Sequence, residues 1–178
     1  MEMHKILNDI KKAFSGSELV KNFKICFRNK NEWNLFLSKI DYQPYFYSNL
    51  NIDFTFEIIK SKYKFAQDFS LIIKNHDKHV SIFPLFIYHD KESFVIEFLE
   101  QKILPPLFVK GLTEKIKKKT IEVVLNFLDK LKLKLNIQSL KFIDNIFPSS
   151  SISQWHKMII NNNYKCIIHR EAFVYLEN

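Results

Sequence analysis

FSLIIKNHDKHVSIFPLFIYHDKESFVIEFL, residues 69–99, decides the fold. Three runs rich in Val, Ile and Phe lie inside it: Phe69–Lys74, His79–Tyr88 and Ser93–Leu99. Polar clusters separate them, Asn75-His76-Asp77-Lys78 and His89-Asp90-Lys91-Glu92. Short apolar runs parted by turn chemistry predict an antiparallel three-stranded meander. Phe94, Ile96 and Phe98 alternate with Val95 and Glu97, which turns one face of the third strand inward. Pro84 cannot donate a ladder hydrogen bond, so the second strand is expected to carry an edge or a bulge there.

Helical patterns flank the meander. Ile6, Leu7, Ile10 and Phe14 recur at helical spacing over residues 3–14. Ser15-Gly16-Ser17 breaks that pattern, and Phe23–Phe27 reads as a short strand. Asn31 is placed to cap a helix with the stripe Trp33, Phe36, Leu37 and Ile40. Residues 45–66 are aromatic and ambiguous, with a helix or turn near 45–51 and irregular structure or a short helix near 54–64. Beyond the meander, Leu104-Pro105-Pro106-Leu107 is an extended loop. The longest helix is expected over about 113–135, with Ile116, Thr120, Val123, Val124, Phe127, Leu128, Leu131 and Leu135 inward. Ser139–Asp144 reads as a strand, and Ser151 with Gln154 fits a capping box for a helix carrying Ile152, Trp155 and Ile159. Tyr164–His169 and Ala172–Leu176 close the chain as strand. The expected class is α+β, a central antiparallel meander flanked by helices, in one lobe over residues 1–178 with an N-terminal helix over 1–16.

Composition narrows the function. Lys and Arg total 27 against 19 Asp and Glu, a formal charge of +8. Lys supplies 25 of those positive charges, and Arg28 and Arg170 are the two arginines. Base readout and bidentate phosphate recognition favour Arg, so a Lys surface gives diffuse attraction to polyanions. Its densest part is Lys110 with Lys115, Lys117, Lys118 and Lys119 at the start of the longest helix. Two glycines, Gly16 and Gly111, leave no Gly-rich phosphate loop to be written. Cys26 and Cys166 form no CxxC and sit in apolar stretches, as buried thiols of a reducing cytosol do. The N-terminus lacks the apolar core of a signal peptide, and no stretch approaches 18 apolar residues. A cytoplasmic location with no membrane span is expected.

Histidines at 76, 79 and 89 sit at two turns roughly 30 Å apart at ~3.3 Å per strand residue, too far to share a site. They read as polar surface turns, and no metal site is expected. Two stretches compete between core and pocket. Tyr42-Gln43-Pro44-Tyr45-Phe46-Tyr47-Ser48 offers aromatic bodies with polar tips. Glu100-Gln101-Lys102-Ile103-Leu104-Pro105-Pro106 puts polar residues before a rigid turn at the end of a sheet.

The order of these segments resembles the first half of the FemAB-like (Fem-type) aminoacyltransferases, a branch of the GNAT acyltransferase superfamily. Asn31-Glu32-Trp33 looks like the opening Trp-containing helix of that family, and Pro44 with the aromatic run after it looks like the segment before the first long strand. Ser70–Lys74 and Val80-Ser81-Ile82-Phe83-Pro84-Leu85-Phe86 look like its central hairpin. Leu104-Pro105-Pro106-Leu107 looks like its Pro-bearing loop, and Trp155 through Asn163-Tyr164 like the helix and turn before its last strand. Asn163 stands where relatives usually offer Gly, and Tyr175-Leu176 where they tend to end in an acid followed by Leu.

The resemblance implies transfer of an acyl or aminoacyl group to an amine of a cell-wall or glycan precursor. Acyl-CoA or aminoacyl-tRNA would be the co-substrate, with no resident cofactor. Tyr45, Tyr47, Glu100 and Gln101 become candidates for binding the acceptor, beside a cleft along the third strand. Catalytic residues stay unassigned. Such enzymes use two lobes, and the second, which supplies much of the donor site, is expected to be missing from these 178 residues. A separate second lobe, or a second copy joined through the terminal strand, would then be a partner. Nucleic acid other than tRNA is not expected. The alternatives are a non-catalytic interaction module and a Lys-rich polyanion-binding domain.

Overall fold

A computed structural model describes residues 2–40, 44–98, 102–143 and 153–162. The chain is α+β, and its described residues form five α-helices and two antiparallel sheets. The five-stranded sheet takes β1 (Glu18–Val20), β2 (Phe23–Phe27), β4 (Leu71–Asn75), β5 (Lys78–Phe83) and β8 (Leu107–Phe108), in the order β1-β2-β4-β5-β8. The three-stranded sheet takes β3 (Ala66–Asp68), β6 (Phe86–Asp90) and β7 (Ser93–Glu97), in the order β3-β6-β7.

The meander is present, and its middle strand is cut in two. Phe83 ends β5, Phe86 begins β6, and Pro84-Leu85 between them carries the chain from one sheet into the other. The neighbouring strand breaks at the same level, where Phe69-Ser70 separates β3 from β4. Asp68 pairs with Phe86 on one side of this double break and Leu71 with Phe83 on the other. The freed backbone is satisfied locally: Phe69 N–H donates to the Leu85 carbonyl at 2.8 Å, and Leu85 N–H donates to Ser70 Oγ at 3.1 Å. Buried main-chain groups need such partners. The tight turn between β4 and β5 has both central residues in the left-handed region, His76 at φ 45° and Asp77 at φ 63°. That geometry matches the twist of a two-residue hairpin.

Helices cover both faces. On one side α1 (Glu2–Phe14), α4 (Glu114–Lys134) and α5 (Gln154–Asn161) pack Leu7, Ile10, Phe14, Phe127 and Trp155 onto Phe23, Ile25, Leu71 and Ile73. On the other, α2 (Lys30–Leu37), a 3-10 turn (Tyr45–Tyr47) and α3 (Asn49–Lys62) pack Trp33, Phe36, Tyr47, Ile52 and Ile59 onto Ile72, Ile82, Phe86 and Tyr88. α4 is buried more widely than a single stripe requires, with Ile121 and Leu125 also inside.

Several expectations need correction. The cap of α2 is Asn29, whose Oδ1 accepts from the N–H groups of Asn31 and Glu32, and the helix ends before Ile40. Of the alternatives left open near 45–51 and 54–64, the helical ones hold, joined as one 14-residue helix over residues 49–62 capped by Ser48. The strand expected from Ser139 is, within the described residues, only a bridge in which Phe142 lies parallel to Ile103. Ser153 caps α5 through the His156 N–H. Ser151, Ile152, Tyr164–His169 and Ala172–Leu176 lie outside the described residues, as do Cys166 and Arg170.

Candidate functional site

A half-open cleft of about 190 Å³ runs beside β7, between Ser93, Phe94, Val95 and Ile96 on one wall and Ile137, Gln138, Ser139 and Lys141 on the other. The second wall is placed by the end of α4. Asn136 turns left-handed at φ 51°, Ile137 N–H reaches back to the Lys132 carbonyl at 2.9 Å, and the chain reverses. This is the Schellman arrangement, with Asn where Gly is commonest. The far end of that wall is pinned to Ile103, whose N–H donates to Lys141 O at 2.8 Å and whose carbonyl accepts from Ile143 N–H at 3.0 Å. Two serines, a glutamine and apolar residues line the cleft together, so it can hold a ligand with both hydrogen-bonding groups and an apolar body.

The helix-covered face of the same strand carries a buried acid. Glu97 lies under α3 beside Tyr88, whose ring stacks on Tyr63 at 4.1 Å. Burial pushes the Tyr88 hydroxyl far above its ordinary range, and the neighbouring Glu97 carboxylate adds to the shift. Tyr88 is therefore a neutral hydrogen-bonding group at any physiological pH.

A bulge assembles a second polar cluster. Ile73 pairs with Ser81 and Lys74 with His79, so Val80 is the extra residue. The offset puts His79 opposite Lys74 on the α2 side, where Glu32 Oε2 meets Lys74 Nζ at 2.8 Å and His79 Nε2 at 3.1 Å. The hydrogen bond from Lys74, then that from His79, holds the Glu32 carboxyl below its usual value, and the same bond raises Lys74. A depressed carboxylate contributes stability above its unfolded-state pKa, about 4.3, and loses it as pH falls through the lower folded value. Thermal unfolding scans should therefore show the wild type losing more stability than Glu32→Gln between about pH 5 and pH 3. Parallel pH profiles would remove Glu32 from the account.

The third cluster surrounds Arg28, whose side chain is 7% exposed. Nε bonds Asp68 Oδ2 at 2.7 Å, one terminal nitrogen bonds Asn49 Oδ1 at 2.6 Å, and the other bonds Asp53 Oδ1 at 2.7 Å. Burial works against the Asp53 carboxylate, but hydrogen bonds from Lys30 and Arg28 outweigh it and hold its pKa down. Lys11 Nζ caps the Asp68 carbonyl at 2.9 Å and lies over the rings of Phe27 and Phe69. Burial lowers the Lys11 ammonium pKa, with Asp68 opposing the shift. All three kinds of nitrogen on the Arg28 fork are engaged within the fold, as a structural clamp requires.

The residues singled out from sequence fall in different places. Tyr47 is buried, its hydroxyl donating to the Pro105 carbonyl at 2.5 Å, while Tyr45 is exposed on the outer side of the 3-10 turn. Neither lines the cleft beside β7. Glu100 and Gln101 lie outside the described residues, as does Leu99 before them. Lys115 and Lys118 are exposed on one side of α4, with the partly buried Lys119 next to Lys118. Lys117 is tied to Glu114 at 2.8 Å, and Lys110 is exposed just before the helix. His79 belongs to the Glu32 cluster and not to a free surface turn, whereas His76 is exposed. Among the described residues no three of His, Cys, Asp and Glu gather as a metal site. No helix among them is long and apolar enough to cross a membrane.

No known protein family matches the chain, and no curated protein does. Among solved structures it is similar to integron cassette protein VCH_CASS6 from the mobile metagenome of V. cholerae, at a TM-score of 0.48 and 13% identity, over 89% of this chain and 95% of that one. That likeness is loose in both backbone and sequence.

Proposed function

We propose that the chain is an acyl- or aminoacyltransferase lobe of the FemAB-like kind, which receives an acceptor amine in the cleft beside β7. The observation that carries this reading is the position of the cleft, along the third strand of the meander, where the sequence resemblance puts substrate. Size supports the acceptor role. At ~30 Å³ per water molecule in the liquid, about 190 Å³ corresponds to roughly six waters, enough for one amino-sugar ring or amino-acid side chain. It does not suffice for an acceptor together with a whole coenzyme A thioester, so the acyl-CoA or aminoacyl-tRNA donor lies largely outside it. The walls fit a glycan-like acceptor. Ser93, Ser139 and Gln138 can both donate to and accept from sugar hydroxyls, and Phe94 and Ile137 offer apolar surface to the ring. The reaction needs a neutral amine attacking a thioester or ester carbonyl, with the departing thiol or hydroxyl taking up a proton.

The test is thiol release from an acyl-CoA, and deacylation of an aminoacyl-tRNA, with and without an amino-sugar acceptor. Acceptor-dependent release is expected for the wild type. Ser139→Trp, which fills the cleft, should cut it at least about tenfold, corresponding to roughly 1.4 kcal/mol, while circular dichroism is unchanged. No acceptor dependence with either donor, or full activity in Ser139→Trp, would defeat the reading.

A further inference from the structure

α3 carries an apolar stripe on its outer side as well as its inner one. Ile52 and Ile59 are buried, while Leu50 is 74% exposed and Phe54 62% exposed, with Ile58 next on the same row. Residues four apart share a helix face, so Leu50, Phe54 and Ile58 form one continuous strip. The preceding 3-10 turn extends it with Phe46 and Tyr45, both exposed, whose rings lie 6.1 Å apart. A lone exposed apolar residue is ordinary, but five in a row on contiguous elements mark an interaction surface.

From the structure we infer that this strip is the two-fold interface of a homodimer, in which α3 packs antiparallel against α3 of a second copy. The pattern is self-complementary. With Phe54 on the symmetry axis, Leu50 of one copy meets Ile58 of the other, as an isologous interface requires. The same arrangement sets the exposed Lys62 of one copy against the aromatic turn of its partner. Ring faces attract ammonium groups, so the basic end of each helix meets the surface suited to it. Antiparallel helices also oppose their dipoles favourably.

The area is of the right order. Aromatic side chains expose roughly 150–250 Å² when fully open, so the observed fractions give the strip on the order of 500 Å² per copy. Stable interfaces bury about 800 Å² per partner, and the stems of neighbouring polar residues on α3 can supply the remainder as a rim. Each copy carries +8, so repulsion between copies should weaken the dimer at low salt, and added salt should strengthen it.

Sedimentation velocity and light scattering decide the matter at concentrations up to about 100 μM, where even a weak dimer populates. The wild type should give twice the 21.4 kDa mass of one chain, more completely at higher salt. Phe54→Glu and Leu50→Glu should each give the monomer, with unchanged circular dichroism because both positions are exposed in the single chain. Leu133→Glu, at an exposed leucine on α4 away from the strip, should leave the dimer intact. A wild-type monomer throughout the range, or a dimer that survives Phe54→Glu, overturns the inference. Capture of the monomer by lipid vesicles or by another protein through this face would also overturn it.

Discussion

Arg28→Ala should cost about 3 kcal/mol of folding stability, a large share of the 5–15 kcal/mol that holds a domain together. The guanidinium is nearly fully enclosed and reaches three acceptors on two different elements: Asp68 at the end of β3, and Asn49 and Asp53 on α3. Removing it leaves the Asp68 carboxylate, itself only 17% exposed, facing a cavity without its direct ion-pair partner and with only the nearby Lys11 ammonium to offset its charge. The penalty of stranding that charge exceeds the net worth of the pair. Asp53 softens the loss, because it is more open to water and keeps Lys30 at 2.6 Å. Arg28→Lys should recover only part of the stability, since a single ammonium cannot match a planar fork that spans three partners. Urea unfolding with an unchanged m-value measures both variants. A loss under about 1 kcal/mol for Arg28→Ala would show that the cluster is an ordinary surface network.

Trp33→Ala should be at least as damaging, at about 4 kcal/mol. The indole is fully buried between α2 and the sheet, and its Nε1–H donates to the Tyr47 carbonyl at 2.7 Å. Alanine therefore opens a large cavity and also leaves a buried carbonyl without its donor. Tyr47 in turn holds the Pro105 carbonyl, so the damage should spread along a line from α2 through the 3-10 turn to the loop before β8. Trp33→Phe separates the two effects: it keeps most of the volume and loses the hydrogen bond, and should cost roughly half as much. Equal losses for the two variants would mean that packing contributes little at this position.

The parts of the fold legible in sequence are those in which each residue has one job. Residues 71–97 are apolar strands parted by polar turns, and α4 carries a sustained apolar stripe at helical spacing, to which Ile121 and Leu125 only add, so local pattern suffices. α3 was illegible for the opposite reason. Leu50, Phe54 and Ile58 point outward while Ile52 and Ile59 point inward, so its apolar residues ring the helix and no single face stands out. β3 is Ala-Gln-Asp, in which Ala66 alone is apolar, too little for a strand pattern, and its ladder is with β6. Ser139–Asp144 has strand-like composition, but within the described residues its ladder is a single isolated bridge, Phe142 to Ile103. The site lies beyond local pattern altogether. The cleft joins residues 93–96 to 137–141, the Arg28 clamp spans 21 to 40 positions, and Glu32 meets His79 across 47. His79 had a readable clue in the turn chemistry before it, but one bulged residue decided which face it took.

The double break at Phe69-Ser70 and Pro84-Leu85 bears on how the molecule comes together in time. Both sheets grow from one ribbon, residues 66–90, whose strands run antiparallel through a single tight turn and bend together at mid-length. Every pairing in that ribbon is short in sequence, and short loops close fast. The angle between the sheets is thus set by four residues of one hairpin, Phe69-Ser70 and Pro84-Leu85. The slow event is expected to be the one that brings β2, some fifty positions away, onto β4. The ribbon is expected to form early, as a bent platform onto which β2 and α4 then pack.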